Sequence, residues 1–255
     1  MTHQHPRILV GAPTAAPYQY CLTEYAARVK SLTYPNCDVL LVDNSEQPGY
    51  EKIIEQEGIK AIRAPAFIKD SRERLAASRN LLREYALKEG YEYFLSLEQD
   101  VIPPENMIET FLAHKKPVVT GVYFKPFSLL YVYKGSPVKK VKKLMPLLCG
   151  IIPGINTKMH PFSAEEVADP RVMQVRFSGL GCILIHRNVL ERIPFRVDTN
   201  IPCHDDVWFS QDLWKNKIPL FCDTSVKCKH MLNKKPQNLF NDVKKGFNPG
   251  LVVQR

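Results

Sequence analysis

The strongest constraint on the fold is the way two hydrophobic periods alternate over the first hundred residues. RILVGAP (7–13) is apolar along its length and stops in Gly and Pro, as a strand covered on both faces does. In the following YQYCLTEYAARVKSL, the residues Tyr18, Cys21, Leu22, Tyr25, Val29 and Leu32 fall on one helical stripe. CDVLLVDNS (37–45) reads as a second strand with a polar end, a short helix is expected near 48–57, and IKAIRAP reads as a third strand. DSRERLAASRNLLREYALKEG predicts a long helix, opened by Asp70 with Glu73 and closed at Gly90. The strand YEYFLSL follows. Strands without polar alternation, separated by helices, predict an α/β fold. Its core is a Rossmann-like, mostly parallel central sheet with helices on both faces.

In such a sheet, ligands bind beyond the carboxyl ends of the strands. Pro13 and Thr14, Asp43 to Ser45, and Glu98 with Asp100 all lie at such ends. The last two sit in LEQDVIPP (97–104), and on an extended segment positions i and i+2 share a side. Two like charges then converge, which is costly unless a cation or a set of donors joins them. One reading is a divalent cation bridging phosphate oxygens; the other is a solvated turn before Pro103–Pro104. Arg79 lies in an apolar stripe with Leu75, Leu82 and Ala86. A buried arginine needs an anion, either a phosphate at the sheet edge or a core carboxylate.

The second half is less regular. PVVTGVYF (117–124) reads as a strand, 125–173 as loop or lid, and QVRFSGLGCILIHRNVLERI as strand, Gly turn, strand and short helix. HDDVWFSQDLWKNK reads as a helix, whose Asp205 and Asp206 are either an N-cap or a general base. IPLFCDTSVKCKH adds one or two strands and ends on His230, a metal ligand or an ordinary surface histidine. Gly179 and Gly181 lack the spacing of a P-loop or of GxGxxG, and permit a close backbone approach or a sharp turn. Cys203, His204, Cys222 and Cys228 match no zinc finger or knuckle.

Composition adds limits. A chain of 255 residues, 45% hydrophobic, suits one globular domain, here 1–230; the family resemblance set out below implies a nucleotide-binding half at 7–100 and an acceptor half at 101–230. The basic tail 231–255 stands apart. No apolar run is long enough to span a bilayer, so no integral membrane segment is expected. Seven cysteines without a CxxC pair suit reduced thiols in the cytoplasm. The net charge of +9 favours an anionic partner. The basic stretch KGSPVKKVKK (134–143) suits three roles: a lid, peripheral contact with an anionic membrane or lipid-phosphate acceptor, or contact with modified nucleic acid.

Taken in order, ILVGAPT, VLLVDNS, LAASRNLLREYA, LEQD, FSGLGCILIHRNVL and HDDVWFSQDLWKNKIPLFCDTSVKCKH resemble a GT-A-fold glycosyltransferase of the inverting, family-2-like kind. The resemblance covers residues 7–230. It implies a sugar moved from a nucleoside-diphosphate sugar (UDP- or GDP-linked) to an acceptor hydroxyl, with Mn²⁺ or Mg²⁺ as cofactor. It also implies that Pro13 and Thr14 lie against the base and that Asp43 bonds base or ribose. Arg79 would stand near the diphosphate, and Asp100 and Glu98 take the place of the Asp-x-Asp metal motif. Gly179 and Gly181 would lie beside the donor sugar. Asp205 and Asp206 match the pair whose second member acts as base, and His230 a position that ligates the metal in some members. The processive Gln-x-x-Arg-Trp helix is missing, which implies single addition. Among rivals, a sugar-phosphate nucleotidyltransferase needs a Gly-rich signature that does not follow ILVGAP. A non-catalytic nucleotide- or nucleic-acid-binding protein leaves both acidic pairs unexplained.

Overall fold

The computed structural model describes residues 5–131, 139–152, 155–232 and 235–237. The first half follows the expected alternation: β1 (Ile8–Thr14), α1 (Leu22–Lys30), β2 (Cys37–Asp43), α2 (Tyr50–Gln56), β3 (Lys60–Arg63), α3 (Ser71–Lys88) and β4 (Tyr93–Leu97). β1 runs parallel to β2 on one side and to β4 on the other, and β2 carries β3, also parallel. Helix α3 begins where its cap chemistry dictates: the Asp70 carboxylate accepts from the backbone N–H of Arg72 at 2.8 Å and of Glu73 at 3.3 Å. It stops at Gly90, whose φ of +76° takes the left-handed conformation that ends a helix. The first stripe is shorter than its spacing suggested. Residues Ala16–Cys21, with Pro17 near their start, form a tighter 3₁₀ turn before α1. Tyr18 therefore leaves the stripe and is 42% exposed.

Beyond β4 come β5 (Val101–Ile102), α4 (Met107–Ala113), β6 (Val118–Val122), β7 (Phe124–Tyr131), β8 (Lys139–Pro146), β9 (Leu148–Ile152), β10 (Ile155–Pro161), β11 (Val172–Val175) and β12 (Phe177–Ser178). They are followed by β13 (Cys182–His186), α5 (Arg187–Arg192), α6 (Asp205–Lys215), β14 (Leu220–Lys227), β15 (Lys229–Leu232) and β16 (Lys235–Gln237). The central eight-stranded sheet has the order β11-β14-β6-β13-β4-β1-β2-β3. β13 is antiparallel to both β4 and β6, while β14 is parallel to β6 and antiparallel to β11. Most of the sheet thus points one way, and β13 and β11 oppose it.

Helices cover both faces, and a separate apolar cluster lies under each. Ile8, Val10, Tyr25, Leu41 and Phe111 pack on one side; Leu9, Leu40, Leu82, Phe94 and Phe209 pack on the other. Neighbouring residues of one strand, such as Ile8 and Leu9, serve opposite clusters, so every β1 position is apolar or small.

One expectation needs correction. Much of the segment expected as loop or lid, 125–173, is strand: β7 and β8 form a two-stranded ribbon, and β9, β10 and β12 a small antiparallel sheet. Its prolines do not forbid this, because both strands of a ribbon are edges and need donate hydrogen bonds on one side only. Of the basic stretch 134–143, residues 134–138 lie outside the described residues, and 139–143 belong to β8. Residues 235–237 pair with β15 as β16; residues 238–255 lie outside the described residues. Among the described residues, no helix is long and apolar enough to cross a membrane.

Candidate active site

The strand directions bring one end of β1, β2, β4 and β6 to a common edge, and antiparallel β13 starts from that same edge. At the β1 end, Pro13 and Thr14 stand in register with Val42 and Asp43. The buried Thr14 hydroxyl donates to Gln99 Oε1 at 2.5 Å. Gln99 Nε2 donates to the Tyr18 carbonyl at 2.8 Å and lies 2.8 Å from the Tyr50 hydroxyl. Asp43 is wholly buried. One oxygen accepts from the Ser45 N–H (2.9 Å) and hydroxyl (2.5 Å), and the other lies 3.3 Å from Arg63. Arg63 also donates to the carbonyls of Ser45, Glu46 and Gln47. Asp43 therefore fixes the loop at the mouth of the site.

After Leu97 the chain turns instead of continuing extended: the Glu98 carbonyl accepts from Val101 N–H at 2.9 Å. The two carboxylates part. Glu98 accepts from Arg79 at 3.0 Å, with its other oxygen toward Gly181, where an added Cβ would lie 3.1 Å away. Burial raises the Glu98 pKa, and Arg79 opposes that rise. Asp100 turns toward β15. There the Asp100 carbonyl accepts from Met231 N–H (2.7 Å), and His230 pairs with Val101. Strand β15 is tied to the 3₁₀ turn and α1 by a bond from the Tyr20 hydroxyl to the Met231 carbonyl (2.5 Å) and by a Lys229–Glu24 ion pair (2.7 Å).

His230 Nε2 stands 3.2 Å from Asp100 Oδ2, and Nδ1 lies 2.6 Å from the Phe124 carbonyl. A carbonyl only accepts, so Nδ1 carries a proton and the in-plane lone pair belongs to Nε2 when the ring is neutral. That is the second-shell arrangement that orients a metal-binding imidazole. Burial works to lower the His230 pKa, but Asp100 outweighs it and the value is raised. Asp100 and His230 Nε2 would be the side-chain groups to hold a cation here. Among the described residues no group of three or more His, Cys, Asp or Glu is arranged to hold a metal. Two protein ligands suit a Mg²⁺- or Mn²⁺-type site that completes its oxygen shell with phosphate and water.

The second acidic pair opens α6. Its N-cap is His204, so Asp205 and Asp206 occupy the first turn, not the cap. Asp205 is 2% exposed and accepts from Arg79 Nε at 2.8 Å. Asp206 is less enclosed and accepts from its neighbour's N–H, Val207, at 2.7 Å. Burial, then repulsion from Asp205, raises its pKa. Of the two aspartates, Asp205 is paired with Arg79 and Asp206 is not.

Arg79 is 1% exposed and spends its donors inside the protein: Nε on Asp205, one terminal nitrogen on the Ser96 hydroxyl (2.8 Å), the other on Glu98. Burial lowers its pKa, but Asp205 and Glu98 more than compensate and it is raised. The structure thus gives Arg79 core carboxylates in place of an open diphosphate site, the other of the two readings its position allowed.

Gly179 and Gly181 make room for protein. A Cβ at Gly179 would lie 2.1 Å from the Tyr123 hydroxyl and 2.3 Å from Leu147, and one at Gly181 2.8 Å from the Tyr123 ring. Tyr123 is buried, accepts from Gly181 N–H at 3.0 Å and sets its ring edge-on to His230, with centroids 5.4 Å apart. Three site residues went unnoticed in the sequence. Tyr123 is hidden in an apolar run, Gln99 lies between two acids, and Tyr18 was read as core. The Tyr18 pKa is pushed up to about 12, by burial and then by Asp100 and Glu98. Alternation in LEQD was the available signal for Gln99, since it faces away from the carboxylates and toward Thr14.

No protein-family model matches the chain, and no curated protein matches it. Solved structures do. GalNAc-T7 with UDP, GalNAc and Mn²⁺ superposes with a TM-score of 0.59 at 10% identity, over 89% of this chain and 44% of that one. The mannosyltransferase PcManGT from Pyrobaculum calidifontis, with GDP-Man and Mn²⁺, gives 0.53 at 13% identity over 89% and 57%. TarS 1–349 of S. aureus with UDP-GlcNAc gives 0.53 at 12% over 87% and 58%. The chain therefore spans between 44% and 58% of these proteins. With its sheet order and helices on both faces, this chain has the GT-A-type fold.

Proposed function

We propose that the protein is a metal-dependent glycosyltransferase that moves a sugar from a nucleoside-diphosphate sugar to an acceptor hydroxyl, once per acceptor and with inversion. The observation that carries this reading is the Asp100–His230 pair, with Nδ1 of His230 occupied by the Phe124 carbonyl and Nε2 turned to the carboxylate. Pro13 and Thr14 line the base end, and Asp43, through the Ser45 loop, shapes the wall against base or ribose. Asp100 and His230 hold the divalent cation, and Glu98 supports them from the Arg79 side. When bound, the cation neutralises the leaving diphosphate.

Asp206 accepts the proton of the acceptor hydroxyl as it attacks the anomeric carbon. A raised pKa suits a base that must hold that proton at the end of the step. Arg79 fixes Glu98 and Asp205, and the backbone at Gly179 and Gly181 closes the donor-sugar side. The sheet edge shared by β1, β2, β4 and β6 supports this reading. The free cysteines fit a cytoplasmic setting.

Thermal-shift measurements with UDP, GDP and their sugars, with and without Mn²⁺, test the reading. One nucleotide should raise the melting temperature only with the cation, and Asp100→Ala should abolish that rise and donor turnover. A flat response to every nucleotide would remove the basis for the proposal.

A further inference from the structure

The net charge of this protein is concentrated in one segment. Between residues 110 and 164 there are nine lysines and no Asp, Glu or Arg. The rest of the chain holds 26 basic and 26 acidic residues, so the whole +9 belongs to that segment. Its centre is the β7–β8 ribbon, paired from Phe124–Pro146 outward to Tyr131–Lys139 and joined to no third strand.

The ribbon is rooted in the site. The Phe124 carbonyl holds His230, Leu147 N–H donates to the Tyr123 carbonyl at 3.1 Å, and Gly179 N–H donates to the Leu147 carbonyl at 3.1 Å. Lys125 and Lys142 are exposed and form no ion pair among the described residues, whereas Lys143 is half-buried within electrostatic reach of Glu165. Lys139 and Lys140 belong to the same strand. The partner strand is apolar in sequence, with Phe127, Leu129, Leu130 and Tyr131.

Lysines beside an aromatic and aliphatic arm suit one anionic partner better than others. A nucleic-acid surface rewards arginine, which forks onto bases and phosphates and stacks, and this segment has none. A bilayer surface rewards dispersed lysine charge together with apolar side chains that enter the headgroup layer. We propose that the β7–β8 ribbon docks on a membrane surface carrying anionic lipid headgroups, turning the open edge of the sheet toward the lipid. Binding itself does not depend on the glycosyltransferase reading; only the corollary that the acceptor hydroxyl is lipid-borne rests on it.

Co-sedimentation of the full chain with vesicles of phosphatidylcholine, with and without phosphatidylglycerol, tests the proposal. Binding should require the anionic lipid and fall steeply with salt. The variant K125Q/K139Q/K140Q/K142Q should lose it by roughly 600-fold, about fivefold per lysine, with an unchanged melting temperature and an unchanged response to nucleotides. K115Q/K116Q, in the same segment but at the start of β6, should keep binding. Equal binding to neutral vesicles, retention by the ribbon variant, or tighter binding to duplex DNA or RNA than to vesicles would each overturn it.

Discussion

The two acidic pairs at the sheet edge are built alike and end differently. In each, one carboxylate is taken by the same buried cation: Arg79 holds Glu98 from the first pair and Asp205 from the second. The other member is left to a different neighbour. Asp100 then meets His230 at 3.2 Å, a neighbour that can be cationic or can share a metal. Asp206 meets the N–H of Val207 and the repulsion of Asp205, with a weaker pull from Arg79 and His204. One shared arginine therefore divides four acids into two that it pairs with and two that it leaves to other neighbours.

The largest test of this division is Asp206→Asn. It should lower kcat by roughly 10²- to 10⁴-fold while nucleotide binding persists, as loss of a general base does; a matching loss of donor binding would place Asp206 with the first pair instead. Next comes Arg79→Met, which strands the buried Asp205 and frees the half-buried Glu98, and should cost about 3–5 kcal/mol in denaturant unfolding. A drop well below that range would mean the two halves are not clamped through this residue. His230→Asn should weaken Mn²⁺ binding about 10- to 100-fold, measured by titration, and leave the fold near its original stability.

The smallest effect is the most discriminating. A carboxyl whose pKa is raised on folding costs the native state stability as pH climbs from its unfolded value through its folded one. Asp206→Asn should therefore gain stability, on the order of 1 kcal/mol or less, above that window and nothing below it. Transfer by the original protein should fall as pH drops through the raised pKa, because the base is then protonated. A variant equally stable at all pH values relative to the parent would show that Asp206 is not strained.

Much of this was legible in local sequence. The cap at Asp70, the stop at Gly90 and the strand ends carrying Thr14, Asp43 and Glu98 follow from period and turn chemistry acting over a few residues. The arginine in the α3 stripe announced a buried anion. What no local pattern could show was the identity of that anion, because Asp205 lies 126 positions away. Nor could spacing join Asp100 to His230, which meet only because β5 and β15 pair across 130 residues; resemblance, not periodicity, suggested His230. The ribbon was missed because lysine and proline oppose strands in a sheet interior, while a two-stranded ribbon leaves one side of each strand to solvent.

The pairing of β5 with β15 also has a consequence for the order of assembly. β1 to β4 can form their parallel unit once the first hundred residues are available, since their contacts are close in sequence. β13 must then insert beside β4, and β15 must reach back to β5. Contacts this distant close late, after the loop entropy of the intervening chain has been overcome. The Asp100–His230 pair is thus among the last features to appear on a chain emerging from the ribosome, and a nascent chain that has not yet produced residue 230 has no means of forming it. Acquisition of tight Mn²⁺ binding during refolding would time the final docking step and not the first collapse.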